Sequence, residues 1–136
     1  MPASTLRAEV NMRTYAVVGL GGILGSILRF AITEDLPRDV TYYAIAGINI
    51  VGCAVLGLVL TKLRFLISMS EDTWNSLGKP FFATGVLGGF TTTSSFAVAS
   101  IELFQDQPLE ALSYVAMSVI GGYWAFWMMA GKDAAA

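Results

Sequence analysis

Four apolar stretches, residues 14–33, 40–61, 80–101 and 111–131, make up most of this chain and leave it few folds to choose from. Each is close to the roughly 20 apolar residues that carry an α-helix across the hydrocarbon core of a bilayer. Composition agrees: 55% of residues are hydrophobic, against 8 Lys/Arg and 10 Asp/Glu in 136 positions. The first stretch is not a cleavable signal peptide, because no small-residue cleavage site and soluble domain follow it, and three more spans do. The chain therefore reads as an all-α, multi-pass membrane protein, one domain over residues 1–136 with four transmembrane helices. Its connections are too short for a second domain. Four helices alone enclose little room for a pathway, so a dimer or larger assembly is expected.

Several classes of chemistry are excluded at once. Histidine is absent, and no Cys/His/carboxylate cluster suits a transition metal. The single cysteine, Cys53, lies mid-span and has no intrachain partner for a disulfide. There is no Ser-His-Asp set, no phosphate loop and no pair of carboxylates within the spans, so the chain does not read as an enzyme. A net charge of −2 offers nothing to nucleic acid.

The third span is unusual. Within an uncharged run from Pro80 to Ile101, the segment GVLGGFTTTSSF, residues 85–96, places three glycines before five consecutive hydroxyl side chains. Glycine loosens a helix, and Ser/Thr side chains offer donors and acceptors to a broken backbone. Unwound backbone at membrane depth is tolerated only where protein or a polar pathway satisfies it, and such breaks are where small ions bind. The sequence thus predicts a broken third helix, unwound across its glycine–threonine stretch. The competing reading is a kinked structural helix whose hydroxyls bond back to their own turns.

The other spans add a sparse polar inventory. In GGILGSILRF, residues 21–30, Gly21 and Gly25 share a helix face and suit close helix packing. Arg29 can either snorkel to the far interface or cap exposed helix ends. Asn49, the sole carboxamide in any span, shares a face with Gly52 and Cys53; it can join two helices or donate to a passing anion. Tyr114 and Ser118 stand one turn apart on the fourth span, and Thr93, Phe96 and Ser100 share one face of the third. Neutral hydroxyls, one amide and aromatic edges suit an anion that is stripped of water yet held weakly enough to leave.

Charge placement predicts orientation. With four spans, both termini and the 62–79 link, the longest connection, lie on one side, holding Arg7, Arg13, Lys62, Arg64, Lys79 and Lys132. Trp74 in that link suits the membrane interface. The other side has Arg38, with Arg29 at the far end of the first span. By the positive-inside rule both termini are expected to be cytoplasmic, in the cell's inner (plasma) membrane.

GGILGSILRF, Asn49 followed by Gly52, GVLGGFTTTSSF, and Tyr114 with Ser118 together resemble the Fluc (CrcB) fluoride channels, over roughly residues 14–131. The third-span motif is the specific part. The resemblance implies an antiparallel dimer of four-helix subunits that exports fluoride passively through pathways lined by both subunits. It also implies a structural sodium ion at the dimer centre, held by the backbone carbonyls of Gly88 and Thr91. Asn49, Thr93, Phe96, Tyr114 and Ser118 then fall on the fluoride pathway, with Gly21, Gly25 and Arg29 structural.

This chain departs from the family's pattern at several pathway positions. Thr93 stands where the first of two pore phenylalanines belongs, and Phe96 matches the second. Ile45 replaces a threonine, Gly122 a serine, and Ala99 an acid. An antiparallel homodimer needs one sequence to insert both ways, which the Lys/Arg bias opposes. Bias and losses together tilt the expectation toward a heterodimer. Two other readings are a non-conducting or partner-dependent subunit and a small multidrug exporter, whose first span would need a glutamate that is absent here.

Overall fold

A computed structural model describes residues 12–131. Helix α1 spans Met12–Thr33 and α2 spans Arg38–Thr61, with a short turn, α3, at Leu63–Leu66. The next helix begins at α4, Glu71–Thr73, and continues through wider, π-type winding at Trp74–Gly78 and Pro80–Val86 into α5, Leu87–Phe90. After Thr91 and Thr92 the chain resumes as α6, Thr93–Asp106, and then α7, Pro108–Ala130. Among the described residues α1, α2 and α7 are each long and apolar enough to cross a membrane. The third predicted span is broken into shorter pieces.

Two expectations are corrected here. The stretch from Lys62 to Lys79 is not one long connection, because residues 71–79 are already wound into the first half of the broken helix. Trp74, expected at an interface, is instead buried against Val59 and Leu87 and stacks on Phe82 with ring centroids 6.3 Å apart. Pro80 explains the wide winding. It has no N–H for the carbonyl one turn earlier, and its ring crowds that carbonyl, so the helix opens around it.

The break is also narrower than the glycine–threonine stretch suggested. Gly88 and Gly89 remain helical within α5, and only Thr91 and Thr92 adopt extended backbone. The Thr91 hydroxyl closes α5 by donating to the Leu87 carbonyl at 2.8 Å. Thr92 then caps α6, its Oγ1 accepting from the Ser95 amide at 3.1 Å. Hydroxyl side chains at consecutive positions therefore end one helix and start the next.

Glycines set how closely the helices approach. α1 runs alongside the first half of the broken helix, and a Cβ on Gly21 would lie 2.6 Å from the Phe81 carbonyl oxygen. At Gly25 it would collide with the Val86 carbonyl, and at Gly89 with that of Gly22. Backbone meets backbone here, so no rotamer change can make room; Gly21 and Gly25 are the buried positions of α1. α2 packs on α7 in the same manner, Gly57 facing the Phe126 carbonyl. Outside these seams α1 and α7 are clothed in exposed apolar side chains, as a surface that meets lipid or another membrane chain must be.

The ends of the bundle differ in charge. The α1–α2 and α6–α7 turns meet at one end with Glu34, Asp35, Asp39, Asp106 and Glu110, against Arg38. The opposite end carries Arg13, Lys62, Arg64 and Lys79. Arg7 and Lys132, which entered the orientation argument, lie outside the described residues.

Candidate ion pathway

The break is fastened by two side chains from different helices. Asn49 on α2 grips Thr92 with both amide atoms, accepting from the Thr92 N–H at 2.9 Å and donating to its carbonyl at 3.3 Å. The clamp replaces the two helical hydrogen bonds that an extended residue forgoes. Arg29 on α1 donates to the Thr91 carbonyl at 3.2 Å. Of the two uses open to Arg29, this hydrogen bond is a cap on the end of α5. Gly52 completes the arrangement, because a side chain there would occupy the place of the Thr91 methyl group.

A cavity of about 390 Å³ opens beside the clamp. Asn49, Thr93, Phe96 and Ser118 line it together with Gly88 and Thr91. Asn49 has one amide proton left after the clamp, so it can hold the break and still donate into this space. Tyr114 lies one turn from Ser118 on α7 and stacks on Phe96, ring centroids 5.5 Å apart and planes 25° from parallel. Tyr114 also lines a second cavity, of about 260 Å³, that includes Asp39, Tyr42 and Glu110 at the acidic end.

Two groups in this region are unsatisfied. The Tyr114 hydroxyl and the Ser118 hydroxyl are buried with no hydrogen-bond partner among the described residues. Such a group costs about 1–3 kcal/mol when left unpaired, and native proteins rarely keep one without a use. The two hydroxyls stand one turn apart on α7, Ser118 at the lining of the first cavity and Tyr114, stacked on Phe96, at that of the second.

Each residue singled out from sequence has a definite place. Asn49, Thr93, Phe96 and Ser118 come together at the central cavity with Gly88 and Thr91, while Tyr114 joins through its stack on Phe96. Gly21, Gly25 and Arg29 lie on the α1 seam and at the break. Three residues were missed. Thr92 is the residue the clamp holds, and Tyr42 donates to the Glu102 carboxylate at 2.8 Å near the acidic end. Tyr42 stands seven residues before Asn49, on the same helix face, a spacing that was available as a signal. Glu102 stands one turn after Ala99, the position where an acid was missing. Nothing local marks Thr92 apart from its neighbours.

The sequence profile of the family described as "CrcB-like protein, Camphor Resistance (CrcB)" matches residues 16–131. Among relatives, the fluoride-specific ion channel FluC 1 of Streptomyces coelicolor is 40% identical over 121 residues, covering 85% of this chain and 73% of that one. The fluoride-specific ion channel FluC of Flavobacterium psychrophilum is 37% identical over 120 residues, 85% of this chain and 93% of its own length. A fluoride-specific ion channel FluC of Pseudomonas fluorescens is 40% identical over 115 residues, with 81% and 88% covered.

Proposed function

The chain belongs to the CrcB family, and from that premise we propose that it is a subunit of a fluoride-selective channel that lets fluoride leave the cytoplasm passively. It is a channel protein, not an enzyme. The observation that carries this reading is the pair of orphaned hydroxyls beside the Phe96 ring, Ser118 on the lining of the central cavity and Tyr114 on that of the second. A small anion that has shed its water can take neutral donors and aromatic edges in exchange, without the strong pairing that would trap it. The exporter reading falls away with family membership.

Flux through Phe96→Ile tests the ring. Isoleucine keeps the bulk and loses the aromatic edge and the stack on Tyr114. Fluoride efflux from proteoliposomes falls by about tenfold or more while the assembly survives, since aromatic pairing of about 0.5–1.5 kcal/mol is lost along with the edge contact to the ion. Undiminished efflux from a well-folded Phe96→Ile protein sinks this role.

The finer architecture belongs to the same proposal: four spans, with the broken helix as the third, joined to an antiparallel second subunit in an inner (plasma) membrane. A sodium ion held by the carbonyls of Gly88 and Thr91 fits the chain's own geometry. The Thr92 N–H, which a continuous helix would give to the Gly88 carbonyl, is spent on Asn49. Gly88 is exposed, with open space where a side chain would be, so its carbonyl is accessible to an ion shared with a partner. The Thr91 carbonyl already accepts from Arg29 and has a second lone pair to offer. A hard cation there would tie the subunits together through backbone oxygen.

Charge supports an unequal pair with cytoplasmic termini. Arg29 is engaged at the break, which leaves Arg38 against Arg13, Lys62, Arg64 and Lys79 among the described residues. Ile45 and Ala99 are buried in apolar packing, and Gly122 faces the Cys53 sulfur, so these positions contribute contacts where the family places polar groups. A partner of reversed bias would supply a complete pathway. Reporter fusions at the C-terminus of the chain expressed alone report a cytoplasmic end in nearly all copies. Equal populations facing each side, together with fluoride conduction, would instead make it a dual-topology homodimer.

A further inference from the structure

At the basic end of the bundle a polar cavity of about 230 Å³ lies between the end of α2 and the Trp74–Gly78 segment, apart from the pathway residues. Thr61, Arg64, Asn75 and Lys79 line it, with buried Trp74 as a wall. Arg64 is fixed there by Glu71 at 3.1 Å and by the Phe65 ring, 4.6 Å from the guanidinium carbon to the ring centroid. A guanidinium has five N–H donors, so this pairing leaves several unspent. The side chains of Lys79 and Asn75 have no hydrogen-bond or ion-pair partner among the described residues. Glu71 is 72% exposed and answers only part of the positive charge.

The surroundings are apolar. Phe65, Leu66 and Ile67 stand exposed beside the cavity, and Leu60 forms part of its lining. Cationic and amide donors set next to exposed apolar side chains at a helix end describe the level of the bilayer where phosphates meet acyl chains. The excess of Lys/Arg puts this end on the cytoplasmic face, whose leaflet carries anionic lipid. The volume suits one phosphate group with a few waters, each water occupying about 30 Å³.

We propose that this cavity is a binding site for the phosphate of an anionic phospholipid headgroup, recognised by Lys79, Asn75 and the free face of Arg64. The site rests on the chain lying in a bilayer and is independent of what the pathway conducts. Lys79 gives the point charge, Arg64 the oriented fork and Asn75 a neutral donor. The exposed apolar residues carry the acyl chains, which free inorganic phosphate lacks.

Native mass spectrometry of the purified full-length protein, equilibrated with equal amounts of phosphatidylglycerol and phosphatidylcholine, tests the site. Phosphatidylglycerol is retained in preference, and Lys79→Gln reduces its retention by roughly tenfold, as expected for a lost charge-assisted hydrogen bond. Glu71→Gln, which releases Arg64, raises retention. Equal retention of the two lipids, or retention unchanged in Lys79→Gln, overturns the proposal. Inorganic phosphate in excess leaves the bound lipid in place; if it displaces the lipid and stabilises the protein equally, the occupant is free phosphate and the lipid assignment fails. A loss of fluoride flux in Lys79→Gln in purely phosphatidylcholine vesicles, with lipid retention intact, would assign the cavity to the conducted ion instead.

Discussion

Replacing Asn49 with leucine dismantles the break between α5 and α6. Leucine matches the shape of asparagine and makes neither hydrogen bond, so the Thr92 N–H and carbonyl lose the partners they find at 2.9 and 3.3 Å. Each unpaired backbone group costs about 1–3 kcal/mol in a protein interior, for a total of roughly 2–6 kcal/mol. That is a large share of the stability of a small domain. The melting temperature in detergent falls by on the order of 10 °C, and fluoride flux is abolished. Neither Gly52 nor Arg29 can compensate, since one has no side chain and the other is on the Thr91 carbonyl. A leucine variant that melts with the wild type would show that the clamp contributes nothing.

The orphaned hydroxyls give the second large effect, and it has two opposite signs. Tyr114→Phe and Ser118→Ala each remove a buried donor that has no partner. Without the desolvated hydroxyl the protein becomes more stable, by about 1–3 kcal/mol per site less the small cavity left at Ser118. If the hydroxyls serve a passing anion, each substitution also removes a hydrogen bond to a charged group, worth about 1.5–3 kcal/mol, and flux falls by roughly 10- to 100-fold. Rising stability with falling flux is the signature of a group kept for function. Thermal melting and fluoride efflux on the same preparations decide it. Lower stability with unchanged flux would mark the two hydroxyls as ordinary packing.

Much of this arrangement could be read along the chain because it depends on local chemistry. Gly21 and Gly25 announced a close helix seam by their spacing, and the hydroxyl run announced a break by its composition. What could not be read is which residues fasten the break. The Asn49–Thr92 clamp joins positions 43 apart, and Arg29 reaches Thr91 across 62. Such pairings follow from the register of one helix against another, and that register is set by backbone contacts at several glycines together. The glycines themselves misled at one point. Gly88 and Gly89 looked like the seat of the unwinding, yet Gly89 is there to let Gly22 approach and stays helical. Trp74 misled for a related reason. Its aromatic bulk suited an interface, while the folded chain buries it with Val59 and Leu87.

The positions that the resemblance assigns to the pathway fall into two groups in the structure. Asn49, Phe96 and Ser118 gather around the central cavity, with Tyr114 stacked on Phe96, whereas Ile45 and Ala99 are buried apolar residues. This division is the ground on which the second subunit proposed above would line the remainder of the pathway.

Ion efflux from liposomes decides whether the chain is a subunit of a fluoride-selective channel. The chain is purified from its native membrane by a tag on its own terminus, so that any antiparallel partner accompanies it, and the vesicles are loaded with both fluoride and chloride. Fluoride is expected to leave down its gradient while chloride is retained. Loss of both ions together, or retention of both by a correctly assembled protein, would contradict it.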